Sequence, residues 1–252
     1  MKNNKSLGQH WLKDRFLLDL IADYAAENEQ NICLEIGPGL GTLTSALLRR
    51  FEHVIAVEYD QRLAHNLPAS FPGKNLSVIN QDFLTFDLSS VPAPYVVAGN
   101  IPYYITSPII QLLLTAENRP TRIVLLIQKE VAERIAAQPG EHTYLSLMVQ
   151  NRAHVTLGPM VGRELFTPPP KVDSQIIILD PLPQPQVSDE VMKLIKIGFS
   201  APRKKLVANL AAGLHREKRD ISELFTANGL DPDCRPAALA SEDWSRLYSA
   251  LQ

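Results

Sequence analysis

Between Asn31 and Ala137 the chain carries five short apolar runs, Asn31–Ile36, His53–Glu58, Leu76–Asn80, Tyr95–Asn100 and Arg122–Gln128. Stretches with helical spacing lie between or after them, predicting helices over 42–51, 61–70, 107–116 and 130–137, the third opening near Pro108. Runs that are apolar on both faces must be covered on both sides, and strands alternating with helices do this as a parallel sheet. Ahead of them, Phe16, Leu17, Leu20, Ile21 and Tyr24 share one face of a helix predicted over 14–27. After Gly140 the rhythm changes. Segments 144–157 and 174–179 have strand character and are separated by loops that include Pro168-Pro169-Pro170, which predicts an antiparallel edge on the sheet. Pro181, Pro183 and Pro185 mark a stiff linker, and from about Val187 onward the chain reads as helices, the basic stretch included. The expected domains are 1–182, α/β, and 187–252, helical.

Composition narrows the class. With 252 residues, 45% apolar and 21% charged, the chain can bury a large core. Met1 to Leu12 is polar and basic, so no secretory signal is expected, and runs such as Ile123 to Ile127 are too short to span a bilayer. Cys33 and Cys234 cannot make a metal cage and are expected to be reduced bystanders. The expectation is a cytoplasmic protein with no membrane partner and no metal, and no coiled-coil pattern suggests more than a monomer. The net charge of −2 weighs against a nucleic-acid partner, but eight Lys or Arg against Glu217 alone put +7 between Lys193 and Arg219. On charge alone, a solvated helix face and a phosphate-binding surface stay equally open.

The first apolar run ends in Gly37-Pro38-Gly39-Leu40-Gly41. A glycine turn between strand and helix lets backbone approach a nucleotide, but this pattern lacks the third glycine of the dinucleotide fingerprint, whose place is taken by Thr42. Three acids sharpen the reading: Glu35 before the turn, Glu58 closing the second run and Asp82 after the third. A carboxylate at the position of Glu58 can accept both ribose hydroxyls of an adenosine, in a dinucleotide or in S-adenosylmethionine alike. Each acid alone has a plainer use, in turn capping or strand termination. On successive strand ends they favour adenosine, and a cationic sulfonium needs no phosphate cradle.

The fourth run ends in Gly99-Asn100-Ile101-Pro102-Tyr103-Tyr104. An adenine amine is a poor nucleophile because its lone pair is delocalised into the ring. The Asn100 side-chain oxygen and the carbonyl of Ile101 or Pro102 could accept its two N–H bonds and localise that pair. Pro102 fixes the turn, and Tyr103 offers a flat face to an unstacked base. Methyl transfer would then rest on positioning rather than on a strong base.

With these residues in view, the chain resembles the ribosomal RNA adenine dimethyltransferases. The matching stretches are Ser6-Leu7-Gly8-Gln9, Leu34 through Gly41, Val57-Glu58, Gln81-Asp82, Asn100-Ile101-Pro102-Tyr103, Gln128 through Arg134, and Phe166 through Ser174. The resemblance implies a Rossmann-like class I S-adenosylmethionine methyltransferase sheet with a small C-terminal helical domain. It implies cofactor contacts at His10, Leu12, Gly37, Glu58, Asp82 and Asn100, to which the motif reading adds Glu35 and Gly39. It further implies that Phe166 stacks on the target base opposite Tyr103. The implied substrate is two adjacent adenines in a hairpin loop of small-subunit ribosomal RNA, with Arg203, Lys204 and Lys205 binding RNA.

Several positions depart from the family pattern. His10 stands where asparagine is usual and Trp11 where phenylalanine is, Ile101 replaces leucine, and Pro202 replaces the first arginine of an Arg-Arg-Lys stretch. The glycine that often follows the tyrosine of Thr143-Tyr144-Leu145-Ser146-Leu147 is also missing. Three rivals are weighed: a macrolide-resistance methyltransferase acting on large-subunit RNA, an assembly factor that has lost catalysis, and an NAD-dependent oxidoreductase, which the missing glycine disfavours.

Overall fold

A computed structural model describes residues 9–252; Ser6, Leu7 and Gly8 of the first matching stretch lie outside the described residues. The chain divides into two compact units, one reaching to Ala132 and taking in His154–Pro181, the other made of Glu133–Ala153 and Leu182–Gln252. The stretch 133–153, assigned to the first domain from sequence, thus groups with the helices.

In the first unit, α1 (Arg15–Ala26) is started by Asp14, whose side chain accepts the Leu17 N–H at 2.9 Å. Such a cap is worth about 1 kcal/mol, and the helix then buries Leu17, Leu18, Ile21, Ala22 and Ala25. The main sheet contains β2 (Ile32–Ile36), β3 (His53–Glu58), β4 (Leu76–Asn80), β5 (Val96–Asn100), β6 (Arg122–Gln128), β7 (Ala153–Val161) and β9 (Ser174–Pro181). Their order across the sheet is β4-β3-β2-β5-β6-β9-β7. The first five are parallel to their neighbours, while β9 runs antiparallel to β6 with Ile123 opposite Leu179. The expected mostly parallel sheet with an antiparallel edge is therefore present. Between strands run α2 (Thr42–Leu47), α3 (Gln61–Asn66) and α4 (Thr106–Thr115), with α5 (Lys129–Ile135) following β6. Because β2 and β5 are adjacent while the chain leaves β2 for β3, the strand order reverses between them. That is where ligands bind in open α/β sheets.

Two features depart from the sequence reading. Residues 144–157 are not one strand: α6 (Tyr144–Gln150) precedes β7. A capping box starts it, with Thr143 Oγ1 accepting the Ser146 N–H and Ser146 Oγ accepting the Thr143 N–H. Consecutive burial of Ser146, Leu147, Met148 and Val149 then fits a packed helix rather than an alternating strand. A second, two-stranded sheet was also not foreseen: β1 (Trp11–Leu12) pairs antiparallel with β8 (Phe166–Thr167).

The helical unit contains α7 (Asp189–Gly198), α8 (Leu206–Leu214), α9 (Lys218–Ala227) and α10 (Ser241–Ala250) around Ile195, Leu206, Leu210, Phe225, Trp244 and Leu247. Gly198 is required there by space, since a Cβ would lie 2.3 Å from the Trp244 ring. Arg203, Lys204 and Lys205 are not helical as expected; they occupy the turn before α8, where Pro202 withholds a backbone donor.

Candidate active site

The turn after β2 is held open by left-handed backbone at Gly37, Gly39 and Gly41. At Gly41 conformation and space both demand glycine, because φ is +80° and a Cβ would lie 2.7 Å from Leu67 and 2.9 Å from Phe71. The turn is tied to the end of β3. The Gly37 N–H donates to the Val57 carbonyl at 2.9 Å, and the Gly39 N–H donates to Glu58 Oε2 at 3.0 Å. Glu58 Oε1 accepts the Asp60 N–H at 2.8 Å. Burial pushes the Glu58 carboxyl upward, and the Asp60 and Gly39 amides pull it back.

Glu35, on β2, is 1% exposed, and neither of its carboxyl oxygens has a hydrogen-bond partner among the described residues. Burial pushes its carboxyl up to about 8; the neighbouring Thr44 opposes this and the charge of Glu58 adds to it. The Thr44 hydroxyl itself stops short of hydrogen-bond geometry. An orphaned, buried carboxyl is costly unless a ligand completes it.

Glu35, Gly37, Gly39, Glu58, Asp82 and Asn100 line one cavity of about 360 Å³, together with His10, Ile101, Pro102 and Tyr103. Four successive strand ends thus converge on one space. Asp82 is exposed, and while lining the cavity its Oδ1 also caps the next turn by accepting the Leu84 N–H at 2.9 Å.

At the end of β5, Asn100 Nδ2 donates to the His10 carbonyl at 2.9 Å, which commits the nitrogen and leaves Oδ1 as the acceptor. The Pro102 carbonyl accepts the Ile105 N–H at 3.2 Å, whereas no described residue donates to the Ile101 carbonyl. Of the two carbonyls left open by sequence, that of Ile101 is available. Tyr103 is anchored through its hydroxyl to Ser174 Oγ at 2.8 Å, and its ring stacks 6.0 Å from that of His10. Burial raises the Tyr103 phenol, Ser174 opposes the shift and the charge of Asp173 adds to it.

Two expected site residues lie elsewhere. Leu12 is fully buried in the hydrophobic core and Phe166 is 3% exposed in the same cluster; neither lines the cavity. The pairing of β1 with β8, which sets Leu12 opposite Phe166, turns both side chains into the core. Conversely, Tyr59, Phe83 and Tyr104 line the cavity and were not singled out from sequence, and Trp11, noted there as a departure from the family pattern, lines it as well. Tyr59 and Tyr104 are 62% and 65% exposed, and their positions directly after Glu58 and Tyr103 were the available signal. In the helical unit, Arg203 and Lys204 are exposed without an ion pair among the described residues, while Lys205 pairs with Asp233 at 2.6 Å. Among the described residues there is no cluster of three His, Cys, Asp or Glu suited to a metal. No helix among them is long and apolar enough to cross a membrane.

The model of the ribosomal RNA adenine dimethylase family matches residues 1–252. The chain is 38% identical to ribosomal RNA small subunit methyltransferase A of Bacillus thuringiensis strain Al Hakam, covering 98% of this chain and 90% of that one. Identity to the protein of the same name from Dehalococcoides mccartyi strain CBDB1 is 37%, over 98% and 88%. A dimethyladenosine transferase from Plasmodium falciparum superposes with a TM-score of 0.78 at 29% identity, over 94% of this chain and 95% of that one. The 23S rRNA methyltransferase ErmE superposes with a TM-score of 0.76 at 30% identity, over 96% and 99%.

Proposed function

This chain belongs to the ribosomal RNA adenine dimethylase family, and on that premise we propose that its substrate is small-subunit ribosomal RNA, at two adjacent adenines of a 3′-terminal hairpin loop. It is an S-adenosylmethionine-dependent adenine dimethyltransferase. The chain's residues suit that cofactor. A cavity of about 360 Å³ is of small-ligand size, Glu58 lines it held by backbone amides, and the Glu35 carboxyl, without a hydrogen-bond partner among the described residues, lines it as well. When bound, S-adenosylmethionine supplies a methyl group on a positively charged sulfur.

The observation that carries the mechanism is the commitment of Asn100 Nδ2 to the His10 carbonyl. Asn100 Oδ1 and the Ile101 carbonyl then accept the two N–H bonds of the adenine amine, so that its lone pair is localised on the nitrogen. Tyr103, fixed by Ser174, stacks on the base. Bound S-adenosylmethionine would supply the methyl group to the nitrogen held by Asn100 and Ile101, and one amine proton would leave to solvent. Repetition on the same nitrogen gives the dimethyl product. No strong base is required, and positioning supplies most of the rate. Arg203, Lys204 and Lys205 of the 187–252 helical domain hold RNA phosphates, and the enzyme acts in the cytoplasm as a monomer within the process of subunit assembly.

Identity to small-subunit methyltransferases over nearly the whole chain favours this substrate over large-subunit RNA. The test is transfer of labelled methyl groups to unmodified small and large subunits, followed by nucleoside analysis. Dimethyladenine in the small subunit is the expected product; label confined to the large subunit rejects the assignment.

A further inference from the structure

With Phe166 withdrawn into the core, the exposed aromatic side chains lining the cavity are, among the described residues, Tyr59 and Tyr104. Tyr59 follows Glu58 at the end of β3, whereas Tyr104 follows Tyr103 on the turn after β5. Because β2 lies between these strands, Tyr104 stands on the side where Asn100 and Ile101 hold the amine. Its backbone is fixed. The one-turn 3-10 helix Tyr103–Ile105 is tied by the Tyr103 hydroxyl to Ser174 Oγ at 2.8 Å and by the Ile105 N–H to the Pro102 carbonyl at 3.2 Å. The Thr106 hydroxyl donates to the Tyr103 carbonyl at 3.2 Å. The Tyr104 ring, by contrast, is 65% exposed and has neither a hydrogen-bond nor a ring partner among the described residues. A single exposed ring is ordinary on a protein surface. A free ring on a fixed base, one residue from the plate that receives the target, is a preformed stacking surface.

Resting on the small-subunit reading, in which two adenines are adjacent, we propose that Tyr104 stacks on the nucleotide that flanks the adenine held by Asn100. An adenine must leave its stack to be methylated, and its neighbour then loses a stacking partner. Tyr104 restores one. On a turn with about three residues per revolution, consecutive side chains diverge by about 120°, so Tyr103 and Tyr104 cannot sandwich a single base. Two diverging plates suit a splayed dinucleotide, one base on each. Stacking on an aromatic ring is open to every base and is strongest for the larger ones, so Tyr104 contributes affinity for single-stranded RNA and a preference for a purine beside the target.

The test compares wild type with Tyr104→Ala, Tyr104→Leu and Tyr104→Phe in methyl transfer to unmodified small ribosomal subunits, with S-adenosylmethionine binding measured by calorimetry. A second arm uses subunits reconstituted with RNA in which each of the two adjacent adenines is replaced in turn by uridine. Tyr104→Ala should raise KM for subunits about tenfold, the scale of one base stacked on an aromatic ring, with kcat changed less. Tyr104→Leu, apolar but without a flat face, should be as weak as Tyr104→Ala, while Tyr104→Phe should recover most of the loss. In one of the two uridine-bearing subunits the gap between wild type and Tyr104→Ala should shrink to about threefold or less, because the ring's partner is itself diminished. An unchanged KM in Tyr104→Ala overturns the inference, as does a Tyr104→Leu variant equal to wild type or a full gap in both altered subunits. A cofactor affinity that falls as far as KM rises also overturns it, by placing the ring on the cofactor. If wild type forms no dimethyladenine in small subunits despite cofactor binding, the substrate reading fails and the inference with it. If wild type does and Tyr104→Ala matches it, the inference alone fails.

Discussion

Buried amides of the helical unit and the buried Glu35 of the sheet unit are treated in opposite ways. In the helical unit Asn151 is 1% exposed, and its amide both accepts from and donates to the Val187 backbone. Asn209 is similarly buried, with its amide donating to the Gly198 and Ala201 carbonyls. In the sheet unit Glu35 is as deeply buried as Asn151 yet has no partner, and Asn100 spends its nitrogen while keeping its oxygen open. The helical unit has its own orphan, the Trp244 indole N–H, but that ring packs against Gly198 far into apolar surroundings. The difference teaches where each unit's polar groups are directed. Satisfied amides hold loops to helices, whereas unsatisfied groups facing a cavity are stability given up for a ligand.

The largest effect expected from this contrast is at Asn100. Asn100→Ala removes the acceptor that exists only for the reacting amine, so kcat should fall by about 100-fold or more while cofactor affinity falls less. A variant that transfers at a normal rate would break the contrast at its centre.

Next come two substitutions of opposite sign, read by chemical denaturation of the cofactor-free protein. Asn209→Ala abandons two carbonyls and should cost about 1–3 kcal/mol with no change in kcat per folded molecule. Glu35→Gln should stabilise instead. A carboxyl whose folded-state value is raised holds its proton after the unfolded chain has lost it, so its contribution is favourable at low pH. That contribution is lost as pH climbs from about 4.5 towards about 8. The gain from Glu35→Gln should therefore grow across that window, reaching the order of 1–3 kcal/mol near pH 7, at the expense of cofactor affinity. Equal destabilisation by both substitutions would erase the distinction between the units.

The smallest effect concerns exposed charge. Arg203→Ala combined with Lys204→Ala should leave stability within about 0.5 kcal/mol and lower the slope of RNA affinity against salt by about two. An unchanged slope would return these side chains to ordinary solvated surface.

Where local chemistry decides a feature, the sequence was sufficient to read it. The five parallel strands and the glycine turn follow from periodicity and residue type, and the same reading brings the acids at 35, 58 and 82 and Asn100 to one sheet edge. Features set by distant pairing were not legible. Two-residue strands such as Trp11–Leu12 carry no period, so nothing signalled that Leu12 and Phe166 would face each other in the core. The error at 144–150 has a different origin. Its apolar content fits either element, and only the Thr143–Ser146 box, a short-range feature, distinguishes a helix.

The bond between His10 and Pro168 spans 158 positions of chain. Because translation proceeds from the N-terminus, the segment bearing His10 emerges early and waits for its partner through most of synthesis. The five parallel strands can assemble in the meantime, but the wall of the cavity formed by residues 9–11 has nothing to dock on until the 166–168 stretch has left the ribosome. Contacts so far apart in sequence also form late in folding, since the loop they close must be ordered first. A nascent or truncated chain ending before residue 166 would hold the sheet's carboxyl edge without a finished active site, which delays methylation competence to the last third of translation.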